Sequence, residues 1–425
     1  MDVPAVMAAV LLTGHGGLDK LVYRTDVPVP RPGPGEILVR VAACGLNNTD
    51  VNTRIGWYAS EVRAAVTAEL GAAGVAGSVA GPASEAESRP PEVSGPVLTE
   101  GSTNRVGLET QASPVRRSSS TDGELIGGWG GALPFPLIQG ADVCGYVADV
   151  GAGLDRLSVG RRVMIDPWLL APADPDHVAG RSAQLSAARY LGSEVDGGFA
   201  EYCVAPAANV HVVESLLTDV ELATFPCAYT TAENLLTKAA VAAGDVVVVT
   251  GASGGVGTAV LQIARLRDAH VIAIAASAKA DAVRELGAAA VVDRSDAAVG
   301  AAVRAVAPGG CVDAVIDVVG ASMFEQLIPL LRPGGRYATA GAIGGPIVEL
   351  DLRHLIYGDL QFNGATVCPA GTFARVITMI ESGALRPMLA ATYPLAELRT
   401  AQEAFLAKRH VGNIVVTIGR PTVGG

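Results

Sequence analysis

The sequence predicts an α/β protein: a β-rich first domain, a doubly wound parallel sheet, and a short return segment. Three observations predict it. From Asp245 onward, short runs of valine, isoleucine and alanine alternate with helical stretches of about ten to fifteen residues, the mark of parallel strands joined by crossover helices. Before that point the apolar runs alternate with polar residues and are punctuated by glycine and proline. After the last crossover come one helix and one apolar strand, which suggests a discontinuous first domain completed by the tail across a cleft.

The elements follow in order. AVMAAVLLTG, from Ala5, reads as a first strand; it follows Asp2 rather than a basic segment, so no secretory signal is expected there. ILVRVAACG (37–45) is a further strand behind the turn-rich VPVPRPGPGE. Across 62–123 alanine, glycine, serine, proline and glutamate dominate, a composition that buries too little apolar surface to offset ordering entropy. This stretch is expected to be a disordered insertion, with a lid as the alternative. Strands resume in 127–151 and in GGFAEYCVAP (197–206), and ATFPCAYTTAENLL, after Thr218, is helical. Then come VVVVT, a helix from Gly255, HVIAIA (270–275), a helix at 279–287, AAVVD (289–293), another helix, VDAVIDV (312–318), a helix at 322–331 and GRYATAG (335–341). The tail holds the helix LAELRTAQEAFLAKR and the strand NIVVTI. The expected division is 1–215, 216–370 and a return segment, 371–425.

Bulk properties exclude several classes. The 425 residues suffice for two or three domains, and no apolar run approaches the length of a membrane span. A net charge of −11 argues against non-specific binding to nucleic acid. The six cysteines are scattered without a C-x-x-C pair, so a reducing cytoplasm is the expected home.

Residues 246–257, VVVVTGASGGVG, are a buried strand running into a glycine-rich turn and a helix. In this context the turn predicts a dinucleotide phosphate site. Ala252 replaces the first glycine of the G-x-G-x-x-G pattern; Gly254 admits a close backbone approach to pyrophosphate, and Gly257 admits close helix packing. Ser253, Gly254, Gly255, Val256 and Gly257 are therefore candidate cofactor contacts, reinforced by the helix N-terminus. An NAD site wants a carboxylate at the end of the second strand. Here that end reads Ala275-Ala276-Ser277-Ala278-Lys279, which points to NADP(H), with Ser277, Lys279 and Arg294 as candidates for its 2′-phosphate. Lys279 and Arg294 read equally well as solvated surface charges.

CGLNNTDVNTRIGWY (44–58), QGADVCGYV (139–147) and IDVVGASMFEQLIPLLRPGGRYATAG (316–341) resemble the medium-chain dehydrogenase/reductase superfamily over about residues 5–418, outside the insertion. The similarity is greatest to the zinc-independent quinone oxidoreductases, whose signature matches here at Gly45, Asn47, Asp50, Arg54, Gly56 and Tyr58. The resemblance implies a GroES-like catalytic domain beside a Rossmann domain, with substrate in the cleft between them and a homodimer or homotetramer formed through the edges of the nucleotide sheets, here through 359–368. In zinc-dependent relatives a cysteine ligand stands where this chain has Asn47, and a histidine where it has Ala141. No metal is therefore expected, and Cys44 and Cys144 read as buried, inert thiols.

Without a metal, hydrogen-bond donors must stabilise charge on the acceptor oxygen. Asn47 offers an amide, and Tyr58 a phenol that would also deliver a proton, with packing at the cleft wall as its alternative. Asp50 is the third candidate catalytic residue, although a turn-capping role fits it better. The resemblance also implies that Thr230 lies near the nicotinamide. The expected function is NADPH-dependent reduction of a quinone or α,β-unsaturated carbonyl compound. The alternatives are an alcohol/aldehyde dehydrogenase and a nucleotide-binding protein with little turnover.

Overall fold

The computed structural model describes residues 3–57, 133–169 and 189–419. The predicted insertion at 62–123 and Tyr58 lie outside the described residues.

The first domain is built on two main sheets. β1 (Val6–Leu12) pairs antiparallel with β2 (Leu21–Pro28). β3 (Glu36–Leu46) is a long strand that leads into helix α1 (Asn48–Ile55). β4 (Leu137–Ile138) joins β1, and β5 (Asp142–Val150) joins β3 antiparallel. β6 (Arg162–Ile165), a short hairpin of β7 (Trp168–Leu169) with β8 (Arg189–Tyr190), β9 (Tyr202–Pro206) and β10 (Val210–Val212) follow. α2 (Asp219–Leu222) and α3 (Pro226–Lys238) then lead to the second domain.

There the parallel strands are β11 (Val246–Val249), β12 (His270–Ala275), β13 (Ala288–Asp293), β14 (Val312–Asp317), β15 (Leu331–Thr339) and β16 (Gln361–Gly364). The helices of this region are α4 (Gly255–Leu266), α5 (Ala280–Glu285), α6 (Val299–Val306), α7 (Ser322–Leu327) and α8 (Leu352–Tyr357). The sheet order is β13-β12-β11-β14-β15-β16. Strand order therefore reverses between β11 and β14, and a crevice opens beyond their carboxyl ends, where ligands bind in such sheets. Val247, Val248 and Val249 are buried from both faces, each contributing about 1.5–3 kcal/mol by leaving water. This explains their uninterrupted apolar run.

The chain ends with α9 (Thr372–Glu381), β17 (Leu389–Pro394), α10 (Leu398–Leu406) and β18 (Asn413–Thr417). β18 inserts between β3 and β17 in the first domain's sheet. α9 packs its Phe373, Val376 and Ile377 into the core shared with α3 and β11.

Candidate active site

The site is built where α1, the β4–β5 corner, α3 and the glycine loop meet. The sequence Asn48–Ile55 is poor in strong helix formers, so its caps matter. Asn47 is the N-cap; its backbone N–H donates to Asp50 Oδ2 at 2.7 Å in a capping box, and Gly56 closes the helix in the left-handed conformation at φ 73°. Arg54 is anchored below, donating to the Gly16 carbonyl at 2.6 Å and to Gln402 Oε1 at 2.9 Å.

Asp50 is only 1 % exposed, and its second oxygen accepts the Gly140 N–H at 3.1 Å. It thus ties the start of α1 to the turn before β5, the capping role that the sequence favours over chemistry. Asp142, 0 % exposed, was not among the sequence candidates. Its Oδ2 accepts the Asn47 amide Nδ2 at 2.7 Å, and its Oδ1 accepts the Cys227 backbone N–H at 2.5 Å, in the first turn of α3. One carboxylate therefore fixes the Asn47 amide and ties it to the helix that carries Thr230. Burial pushes both Asp50 and Asp142 up to about 7, and the charge of Asp142 raises Asp50 further. Beside them Ala141, Trp168, Tyr190, Cys227, Val367 and Cys368 form one apolar cluster contributed by both domains. Within it the Tyr190 hydroxyl donates to Cys227 Sγ at 3.1 Å, and burial drives the Cys227 thiol far up.

The glycine loop packs closely at Gly257 and is open at Gly254. A Cβ on Gly257 would lie 2.2 Å from the Gly251 carbonyl oxygen, so this position needs glycine for helix and loop to pack. Gly254 is the N-cap of α4 and carries no side-chain cap, leaving the N–H groups of Gly255, Val256 and Gly257 without helical acceptors. A Cβ on Gly254 would touch nothing nearer than 3.4 Å, so the side from which a phosphate would approach is open. Ser253 lends its carbonyl to the Gly412 N–H at 3.0 Å, which lays the entry of β18 across the loop. Asn413, 2 % exposed, follows at once; its Nδ2 is buried without a partner among the described residues, as is Thr230 Oγ1. An orphaned buried donor on Asn413 beside the uncapped start of α4, with the orphaned Thr230 hydroxyl in α3, is what a bound dinucleotide would satisfy, and the residues present fit that group.

The three candidates for a 2′-phosphate are placed less simply. Ser277 directs its N–H and its hydroxyl to Asp293 Oδ2. Lys279 Nζ donates to the carbonyls of Lys408 at 2.8 Å and His410 at 2.6 Å. Arg294 is exposed just past β13.

Against this geometry the comparisons are decisive. Residues 255–382 match the family described as zinc-binding dehydrogenase, and residues 105–215 match the alcohol dehydrogenase GroES-like domain. A candidate alcohol dehydrogenase of Sinorhizobium meliloti 1021 superimposes with a TM-score of 0.76 at 41% identity, covering 98% of this chain and 97% of that one. The chain belongs to the medium-chain dehydrogenase/reductase superfamily. It is an NAD(P)H-dependent oxidoreductase of that type, with a GroES-like domain beside a Rossmann sheet. An acryloyl-coenzyme A reductase of Metallosphaera sedula is 28% identical over 289 residues, 67% of this chain and 84% of that protein. An NAD-dependent alcohol dehydrogenase of Sulfurisphaera tokodaii is 27% identical over 291 residues, 67% of this chain and 82% of that protein.

The zinc of the family's description does not fit this donor set. At the two positions compared with zinc ligands stand the amide of Asn47 and the methyl of Ala141. Both Asp142 oxygens are engaged by N–H donors. Among the described residues, no three His, Cys, Asp or Glu side chains converge as a metal would need.

Proposed function

We propose that this oxidoreductase reduces a conjugated carbonyl compound, an enone, enoyl thioester or quinone, with NADPH and without a metal. The observation that carries the reading is the Asn47 amide locked on Asp142 where a zinc ligand would stand. Neutral hydrogen-bond donors suit an acceptor whose developing charge is delocalised, as in an enolate or hydroquinone anion, better than a localised alkoxide. NADPH, when bound, supplies the hydride. The second Nδ2 hydrogen of Asn47 is the donor toward the acceptor oxygen, and Asp142 keeps that amide from turning its oxygen toward the charge. Tyr58, three residues beyond α1 in sequence, supplies the proton. Thr230 and Asn413 bind the coenzyme with the first turn of α4. The printed name of the Metallosphaera relative, acryloyl-coenzyme A reductase, supports an activated double bond as acceptor. The absence of a carboxylate between Ala275 and Lys279 supports NADPH. A homodimer joined through β16 belongs to the same reading.

The test is oxidation of NADPH and NADH against a panel of enones, enoyl thioesters, quinones and simple aldehydes, with metal content measured on the same sample. Turnover of conjugated acceptors with NADPH and no stoichiometric zinc is the expected result. Zinc-dependent turnover of simple aldehydes with NADH would replace this reading with the alcohol dehydrogenase one, the activity named for the Sulfurisphaera relative.

A further inference from the structure

Basic side chains from both domains converge where residues 407–412 pass the end of β12. Lys279, four residues beyond β12, holds the carbonyls of Lys408 and His410. Lys408 in turn reaches into the first domain: its Nζ donates to Asn48 Oδ1 at 3.0 Å and stands 3.6 Å from the centre of the Phe405 ring. His410 Nδ1 is buried without a partner among the described residues. Among the described residues, no ion pair involves Lys279, Lys408 or Arg294. The charges also oppose each other. Burial pushes Lys408 down to about 7 with the charge of Lys279 adding to the effect, and burial with both lysines pushes His410 down to about 4.

Basic groups gathered in a half-buried place, with no ion-pair partner among the described residues, are stabilised by an anion, and the position limits which anion. The same loop runs on through Gly412 to the mouth of the phosphate loop, so the cluster lies along the path of a dinucleotide, on the adenosine side marked by Ser277 and Lys279. We propose that Lys408 and His410, with Lys279, seat a phosphomonoester on the ribose of an adenine nucleotide. The proposal rests on the NADPH reading, in which that group is the 2′-phosphate; the 3′-phosphate of a coenzyme A thioester offers the same chemistry. The seat takes one lysine from the Rossmann domain and two residues from the return segment, so a phosphate bound there joins the two domains. It also makes Lys408 a determinant of coenzyme choice that a reading of the β12 end alone does not reveal.

The experiment is calorimetric titration of the full chain with 5′-AMP, 2′,5′-ADP and 3′,5′-ADP, for the wild type, Lys408→Met and Lys408→Arg. Methionine preserves packing on Phe405, and arginine preserves the charge. At least one bisphosphate is expected to bind roughly tenfold or more tightly than 5′-AMP, the scale of one charge-assisted hydrogen bond. Lys408→Met should erase most of that gain and Lys408→Arg should keep it. A larger gain for 2′,5′-ADP assigns the seat to the coenzyme, and a larger gain for 3′,5′-ADP assigns it to coenzyme A. Equal binding of all three nucleotides by the wild type overturns the proposal, as does an undiminished gain in Lys408→Met. Equal weakening of 5′-AMP and the bisphosphates by Lys408→Met also overturns it, because that marks a general loosening of the loop. The outcomes separate from those of the functional reading. NADH-linked turnover with a 3′,5′-ADP gain leaves the seat standing, and NADPH-linked turnover with an undiminished gain removes the seat alone.

Discussion

Thr230 is held in the second turn of α3 with its hydroxyl out of water and without a hydrogen-bond partner among the described residues. A buried hydroxyl left unpaired costs about 1–3 kcal/mol, so a ligand that pairs it recovers binding energy. Thr230→Val, which keeps the shape and removes the hydroxyl, is expected to leave the free protein as stable as the wild type or more so. The same variant should bind coenzyme roughly tenfold more weakly. Urea unfolding without coenzyme and fluorescence titration with it read the two effects, and equal coenzyme affinity in both proteins would remove Thr230 from the site. The role of Asp142 was hidden in the sequence for a physical reason. It lies next to Ala141, in a motif read for metal ligands, yet its partners Asn47 and Cys227 are remote along the chain. Hydrogen bonds between distant segments leave no local spacing to find. Asp50 was legible, because a capping box is local and its spacing is written in four consecutive residues.

Among elements, β16 is one of the two edge strands of the Rossmann sheet, with one edge unpaired among the described residues. Phe362 on it is 37 % exposed, and the preceding α8 exposes Leu352, Ile356 and Tyr357. Unpaired strand edges flanked by apolar side chains recruit another chain. Pairing of two copies through β16 would continue the sheet across the dimer. Phe362→Lys is therefore expected to shift the protein toward monomer, read by light scattering across a concentration series. A monomeric wild type would end the dimer reading. The parallel strands were the most legible part of the chain, since burial on both faces writes each as a continuous apolar run. Helix ends were less so. The stretch 322–331, read as one helix, is α7 followed by a separate 3₁₀ turn at Ile328–Leu330, with β15 starting at Leu331. Pro329 accounts for this, having no N–H to continue an α-helical ladder.

Across the whole molecule, buried carboxylates set a pH dependence. Asp50 and Asp142 keep their protons to about pH 7 when folded, against about 3.9 in an unfolded chain. Between those values the folded state binds more protons, so their contribution to stability is complete below about pH 4 and is lost as pH rises through 7. His410 acts in the opposite direction, because its folded value is depressed. Asp142→Asn removes one of the two carboxylates and relieves the other of a neighbouring charge. Its unfolding free energy should fall less between pH 5 and pH 8 than that of the wild type, as read by urea denaturation at both values. An identical fall would show that Asp142 does not titrate in this window.

The placement of β18 has a consequence for biosynthesis. β3 and β18 are neighbours in the sheet, with Leu46 opposite Ile414, although all six Rossmann strands lie between them in the chain. Until the ribosome has delivered β18, the Ala43–Leu46 end of β3 presents bare N–H and C=O groups beside an apolar face, while the Rossmann sheet has all of its strands and can close. The nascent first domain thus waits, with an aggregation-prone edge, on a strand whose first residues also dock on the glycine loop. Completion of the Rossmann domain prepares the surface that receives the closing strand, so the two domains mature in a set order rather than independently.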